Sequence, residues 1–347
     1  MSSKYVVEQV DVRVHAQAIS ALWARCLRSL TPQAALGRLQ HRYLGNPAGS
    51  GATLVLRHAE PAELAGVQCL HERRFHQGAR QWRVAGFADY AVADAHRSLG
   101  PALQLMKKGI ALAQAQYDWV YGLTNDKSEA VCKRSGLQRF GGVVRWTHAL
   151  RSGQLLRRRL PGWLARGMAP LVDTALLLRD AARLGSARRL QWQDSHRFDA
   201  ALDTVWQQRS ATLLMSERSR AVLEWRFAVE VPARWTVSLA RRGDGTPLGY
   251  VVWRVEDRMV LVADFFCADP ARDTAVLLRG FAWHQRAQPV ERLSLEFFGS
   301  PEVACGVRAA GFVPRPEHLP LYLVAGAAAV VPPPAHWYFT SFDRDGE

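Results

Sequence analysis

Cysteine is scarce in this chain of 347 residues: there are five (Cys26, Cys69, Cys132, Cys267 and Cys305), scattered and without a C-x-x-C pair. An odd, dispersed set argues against a disulfide framework or a zinc site and fits a reducing compartment. Long apolar runs are missing too. The longest, around Ala325–Val331, falls far short of the ~20 residues that span a bilayer. Met1–Val10 holds no apolar stretch ahead of a small-residue cleavage site, so a cytoplasmic location is expected. Acidic residues are few: 31 Asp and Glu face 45 Lys and Arg, a net charge of +14. The remaining composition is ordinary, with 48% apolar and 22% charged residues, which excludes disordered and collagen-like classes. At roughly 150 residues per domain the length allows about two domains.

The positive charge is local. Arg151–Trp192 carries nine arginines, no lysine and two aspartates, a net +7, or half the excess of the whole chain. Leu155, Leu156, Trp163, Leu164, Leu171, Val172, Leu176 and Leu178 alternate with these arginines at near-helical spacing, and Pro161, Gly162 and Pro170 break the pattern. The simpler reading is a basic helical linker packed on a domain. The second is an interfacial helix giving peripheral contact with the anionic inner membrane. Twelve tryptophans beside many arginines invite comparison with base-stacking surfaces. No RNA-binding signature accompanies them, and most lie in periodic segments as core residues do, so nucleic acid is not an expected partner.

Self-comparison reveals a repeat. Ala88–Arg97 (ADYAVADAHR) aligns with Ala263–Arg272 (ADFFCADPAR) at an offset of 175 residues, with Ala88/Ala263, Asp89/Asp264, Ala93/Ala268, Asp94/Asp269 and Arg97/Arg272 identical. The same offset carries Gly136-Leu137 onto Gly311-Phe312. Two blocks at one offset point to an internal duplication. The expected organisation is a first domain over 1–150, the basic linker over 151–192, and a second domain over 193–347. In the first copy the patterning predicts helices over Ala18–Leu30 and Ala34–Tyr43 and strands over Thr53–Arg57, Leu64–His71 and Gln81–Val92. A helix from Pro101 to Tyr117, a strand Trp119–Leu123, a short helix Asp126–Arg134 ended by Gly136, and a strand Gly142–Leu150 follow. This order implies an α/β fold with a mixed sheet.

The sharpest local feature is Arg97-Ser98-Leu99-Gly100-Pro101-Ala102, which leaves a strand and opens a helix. Unpaired amides at a helix start and a glycine that admits close approach make an anion site, although an ordinary turn before a helix reads the same way. With its surroundings, the R-x-x-G-x-A loop, amphipathic helix, strand, Asn125, short helix and Gly136-Leu137 resemble the GCN5-related N-acetyltransferase (GNAT) family. Arg97–Ala102 matches that family's pyrophosphate loop position for position. Pro101 departs from it by removing one amide donor.

The resemblance covers residues 10–150 well and 195–325 more loosely, and it implies a tandem GNAT protein with acetyl-CoA or another acyl-CoA as co-substrate and no metal. Arg97, Ser98, Leu99, Gly100 and Ala102 would hold the pyrophosphate. Backbone groups of Phe87–Val92, Val92 included, and of Trp119–Thr124, with Asn125 beyond, would hold the pantetheine arm. In the second copy Asp273 and Ala275 stand in the loop and oppose coenzyme binding. The family tyrosine that protonates the leaving thiolate falls on Cys132, which makes Cys132 the candidate acid or else a small residue filling that place. Asp89 is the first candidate base, His71 and Glu72 the second, and His96 the third. Asp264, retained in the copy without the loop, points to a structural role for Asp89 as well.

The resemblance thus implies acyl transfer from CoA to a small amine. His96–Ala102 (HRSLGPA), Arg42-Tyr43 with Asn46-Pro47, and the Trp337-Tyr338-Phe339 tail resemble tandem members associated with surface-polysaccharide loci. The acceptor would be an amino sugar, a nucleotide-linked sugar or an amino acid derivative, and the sequence does not choose among them. The alternative is a non-catalytic tandem scaffold docked on a biosynthetic complex or membrane surface. A transferase using aminoacyl-tRNA is disfavoured by the retained phosphate loop.

Overall fold

The computed structural model describes residues 4–27, 30–60, 63–124, 126–227 and 235–344. They form two compact units: one built from residues up to Gly142 with Leu319–Pro333, the other from Val143–His318 with Pro334–Asp343. These boundaries depart from the expected 1–150, 151–192 and 193–347, because each unit includes a segment that follows the other in sequence.

The first unit opens with β1 (Tyr5–Val10), α1 (Ala16–Cys26) and α2 (Pro32–Leu39). Ile19, Leu22 and Trp23 share one face of α1 and are fully buried. Thr31 caps α2 by accepting from the Ala34 amide at 3.2 Å, with Pro32 in the first turn, so the helix starts earlier than its apolar pattern suggests. A π-turn over Gln40–Leu44 follows and carries the buried Tyr43. The antiparallel strands β2 (Ala52–His58), β3 (Glu63–Gln77) and β4 (Arg80–Val92) come next, with Gly78 at φ +57° in the β3–β4 turn. Their register runs from Gln77↔Arg80 to Gly66↔Val92 and shifts between Val67 and Cys69. The extra residue sits on β4, and Asp89 takes φ +46°, the strained conformation of a β-bulge.

α3 (Leu99–Gln116) crosses to β5 (Trp119–Leu123), which runs parallel to β4, and α4 (Asp126–Ser135) leads into β6 (Gln138–Ala149). A Cβ on Gly109 would lie 2.2 Å from the Gln68 amide oxygen, so this glycine lets α3 lie close against β3. The sheet order is β1-β2-β3-β4-β5, and Leu321–Ala325 adds antiparallel to β5. α1 and α2 pack on Val55, Val67, Cys69 and Ala91, while α3 packs on the opposite face through Leu54, Leu56, Leu70 and Ala85.

The second unit holds α5 (Gly153–Arg157), α6 (Gly162–Arg183), β7 (Gln191–Ser195), α7 (Ala201–Gln207), β8 (Met215–Ser216) and α8 (Arg220–Phe227). β9 (Thr236–Arg241), β10 (Pro247–Glu256), β11 (Met259–Cys267), α9 (Pro270–His284), β12 (Arg292–Gly299) and α10 (Pro301–Ala309) follow. β13 (Val313–Ala325) contains the strand already paired with β5, and β14 (Tyr338–Thr340) closes the chain. The sheet order is β6-β12-β11-β10-β9-β7, with β11 and β12 parallel. Its core is aromatic, including Tyr250, Trp253, Phe265, Phe266 and Phe281. Across the chain eight of the twelve tryptophans are buried and pack in the cores.

The Arg-rich segment is built onto this second unit. Arg151 donates to the carbonyls of Arg286, Gln288 and Val290 at 2.6–2.7 Å. Asp173 accepts from the amide and hydroxyl of Ser152. Asp180 is buried among His148, Arg179 and Arg286. Inward-facing charge, fully paired, anchors α6.

Candidate functional site

In each unit two parallel neighbours part company. β4 and β5 pair only through Val84↔Trp119, Ala85↔Val120 and Gly86↔Tyr121, although β4 continues to Val92 and β5 to Leu123. β11 and β12 likewise pair from Met259↔Arg292 to Val262↔Leu295 and then diverge. A strand edge without a neighbour carries amides and carbonyls that need partners, which suits an extended ligand.

The two openings differ in what fills them. In the second unit β14 pairs with β12 through Phe297↔Thr340, Phe298↔Phe339 and Gly299↔Tyr338. Phe297 also pairs with Val144 on its other edge, so β14 occupies the edge that faces β11. The Tyr338 hydroxyl donates to the Phe265 carbonyl on β11. Arg218, fully buried, clasps this segment between Asp264 at 3.1 Å and Asp343 at 2.8 Å. No described segment pairs with β4 and β5 in this way. At the end of β5 the Thr124 hydroxyl is buried and has no hydrogen-bond partner among the described residues, an orphan polar atom at the opening.

The helix starts show the same contrast. The Asp269 side chain caps α9 by accepting from the Arg272 amide at 3.2 Å, and Asp273 is paired with Arg242 and Arg272. At α3, Ser98 makes no side-chain cap bond, and the Leu99 and Gly100 amides have no acceptor among the described residues. A Cβ on Gly100 would meet nothing within 4 Å. Ser98, Leu99 and Gly100 are exposed, and a groove of about 540 Å³ runs from Gly100 along Leu103, Gln104, Lys107, Lys108 and Ala111. Two lysines and the positive end of the helix give this groove the charge an anion needs.

Other expected binding residues are already engaged. Arg97 folds back onto Asp94 at 2.6 Å and donates to the Val92 carbonyl at 3.3 Å. An exposed pair of this kind is worth about 0–1 kcal/mol and exchanges readily for a phosphate. The Val92 carbonyl also accepts from the Cys26 thiol at 3.6 Å. The Ala102 amide reaches the Ser98 carbonyl at 3.4 Å, and its own carbonyl accepts from the Tyr90 hydroxyl at 2.7 Å. Asn125 lies outside the described residues.

Asp89 is not placed as a base. Its buried carboxylate accepts from the Tyr43 hydroxyl at 2.7 Å and pairs with Arg38 at 2.7 Å. Its counterpart Asp264 likewise accepts from a tyrosine hydroxyl, that of Tyr250, and pairs with an arginine, Arg218. Cys132 is not placed as an acid either. Burial, with Glu129 nearby, pushes its thiol up to about 11, and it packs with Met106, Leu137 and Tyr322. Protonating a thiolate of ordinary basicity, pKa about 8.5, from such a thiol is uphill by a factor on the order of 10². Glu72 is held by two hydrogen bonds from Arg83 at 2.7 and 3.0 Å, and His96 is fixed between Tyr5 and Glu63.

His71 remains. It lies in register with Gly86, and Gly86 with Tyr121, so the three form one row at the point where β4 and β5 part. Residues in one row share a face, and a Cβ on Gly86 would sit 3.7–3.8 Å from the Tyr121 ring and hydroxyl. The Tyr121 ring thus lies over Gly86, in the same row as the buried His71 imidazole. Tyr43 meets the His71 ring edge-on at 5.9 Å. Sequence reasoning passed over Tyr121, because only the β4–β5 register reveals its place opposite His71. It also passed over Tyr322, which donates to Glu129 at 3.0 Å from a strand nearly two hundred residues downstream. No three His, Cys, Asp or Glu residues are placed to hold a metal ion among the described residues.

No family model and no curated protein matches the sequence. Solved structures do match. A protein of unknown function from Enterococcus faecalis V583, described as a probable N-acyltransferase, is 12% identical with a TM-score of 0.63, over 93% of this chain and 72% of that one. A GCN5-related N-acetyltransferase from Anabaena variabilis is 12% identical with a TM-score of 0.62, over 92% and 72%. Another from Kribbella flavida is 15% identical with a TM-score of 0.56, over 93% and 71%. At these identities the likeness is one of fold: this chain has the mixed α/β fold of GCN5-related N-acetyltransferases.

Proposed function

We propose that the chain is an acyl-CoA-dependent N-acyltransferase whose first unit binds the acyl-CoA and carries out the transfer. The observation behind this is the contrast between the units. In the first, the β4–β5 edge and the start of α3 are open. In the second, β14 fills the corresponding edge and Asp269 caps the corresponding helix. We read the two units as duplicated copies, the second a structural partner that has lost coenzyme binding.

The Leu99 and Gly100 amides and the positive end of α3 would take the pyrophosphate, with Arg97 exchanging Asp94 for a phosphate oxygen. The edges of β4 and β5 beyond Gly86, with the Thr124 hydroxyl, would take the pantetheine arm. His71 is the base: it accepts the proton that the amine loses as its nitrogen attacks the thioester carbonyl, the C–S bond breaks, and the thiolate leaves. Tyr121, across Gly86 from His71, is the donor for the carbonyl oxygen as charge develops. The thiolate then takes a proton from water. The acceptor is a small amine, an amino sugar or an amino acid derivative.

The test is thiol release from acetyl-CoA and longer acyl-CoAs across a panel of amines. Turnover with at least one amine, falling roughly 10²–10⁴-fold in His71→Gln while CoA binding persists, is expected. CoA binding without turnover on any amine would favour the scaffold reading, and turnover unchanged in His71→Gln would remove His71 as the base.

A further inference from the structure

α6 is amphipathic in an unusual sense, with charge inside and apolar surface outside. Asp173 and Asp180, the only acidic residues of Arg151–Trp192, face the second unit and are hydrogen-bonded there. Trp163, Leu171 and Leu178 are 76%, 74% and 64% exposed, and Leu155 just upstream is 52% exposed. At 100° per residue the three helix residues fall within an arc of about 80° and span about 23 Å. Gly167 and Thr174 lie between them and add no charge. Arg158, Arg159 and Arg166 are exposed at one end of this stripe, and Arg188 and Arg189 beyond the other.

We propose that this face of α6 docks on an anionic lipid bilayer, independently of the transfer chemistry. An exposed tryptophan and single leucines on one face of the helix suit shallow insertion into a headgroup layer, and the flanking arginines reach lipid phosphates. The outward surface carries no acid that would repel them. A second copy fits poorly, because both ends of the stripe are basic. Parallel or antiparallel pairing of two α6 helices sets arginines against arginines. None of the described helices is long and apolar enough to cross a membrane, so the contact is peripheral.

The test is flotation of the full chain with phosphatidylcholine vesicles and with vesicles that also contain phosphatidylglycerol, at low and high salt. Binding is expected only to the anionic vesicles, with release at high salt. Arg158→Gln/Arg159→Gln/Arg166→Gln should weaken it on the order of 10²-fold, at about 1 kcal/mol per arginine near the surface. Trp163→Ser/Leu171→Ser/Leu178→Ser should weaken it roughly tenfold or more without changing the charge. Arg13→Gln/Arg25→Gln/Arg220→Gln, an equal loss of charge on exposed residues elsewhere, should leave binding nearly intact. Melting temperatures confirm that each variant folds. An equal loss in the control triple, or no binding at low salt, would overturn the proposal. So would a dimer that the serine variant converts to monomer, since the stripe would then belong to a second copy.

Discussion

Replacing Arg218 by methionine perturbs the second unit at its most buried charge. The guanidinium, Asp264 and Asp343 are all fully buried, and Arg218 also donates to the Ser216 carbonyl at 2.9 Å. Tyr250 and Thr340 hydroxyls donate to Asp264 at 2.9 and 2.7 Å. Burial already raises the Asp264 carboxyl above its ordinary range despite the opposing pull of Arg218. Without Arg218, two carboxylates remain in the interior with no cation. Removing one partner of a buried pair costs about 3–5 kcal/mol. For a unit of this size that is a fall of roughly 6–20 °C in melting temperature.

The pH dependence has a definite sign. A carboxyl whose folded pKa lies above its unfolded value binds its proton more tightly when folded, so stability declines as pH rises from the unfolded to the folded pKa. Arg218→Met should therefore regain part of its stability at pH 5 relative to pH 8, and by more than the parent protein does. Calorimetry at both pH values measures this. A fall under about 2 °C, or the same pH dependence in variant and parent, would refute the assignment of Arg218 as the clasp of the β14 segment.

Three other outcomes follow from the same structure. Cys132→Ala should leave turnover within about twofold and lower stability by on the order of 1 kcal/mol, measured by kinetics and urea melts on one preparation. Burial pushes the Asp180 carboxyl up, but His148, Arg286 and Arg179 outweigh it and hold it well below the usual carboxylate range. The stability it contributes is therefore present above the unfolded pKa of about 3.9 and lost as pH falls below it. Asp180→Asn should flatten that acid limb in pH-dependent melts, at a cost of about 3–5 kcal/mol at neutral pH. Asp89→Asn should lower the melting temperature more than it lowers turnover, measured on one preparation, because its partners Tyr43 and Arg38 serve the bulge rather than the chemistry; a turnover loss like that of His71→Gln would restore Asp89 as a base.

Local signals in the sequence carried the elements well. Trp119–Leu123 is the strand its apolar run implied, and Gly136, at φ +93°, ends α4 as its place after Arg134 and Ser135 suggested. α3 starts at Leu99 rather than Pro101, since proline is tolerated anywhere in the first turn. What was hidden is long-range. Leu321–Ala325 leaves its sequence neighbours for β5, and β14 enters the gap beside β12; neither pairing has a local signature. The same holds for the site. The loop was legible because helix-start chemistry is contiguous, whereas the His71–Gly86–Tyr121 row depends on the register of three strands. Asp89 stood out by repetition, and repetition reflected a shared buried ion pair.

Calorimetric titration with CoA addresses the division of labour between the units most directly. The account predicts one site per chain, lost in Gly100→Glu, whose carboxylate would enter the open space beside the Leu99 and Gly100 amides, and retained in Arg218→Met at a temperature where that variant is folded. Two sites per chain, or binding that survives Gly100→Glu, would contradict it.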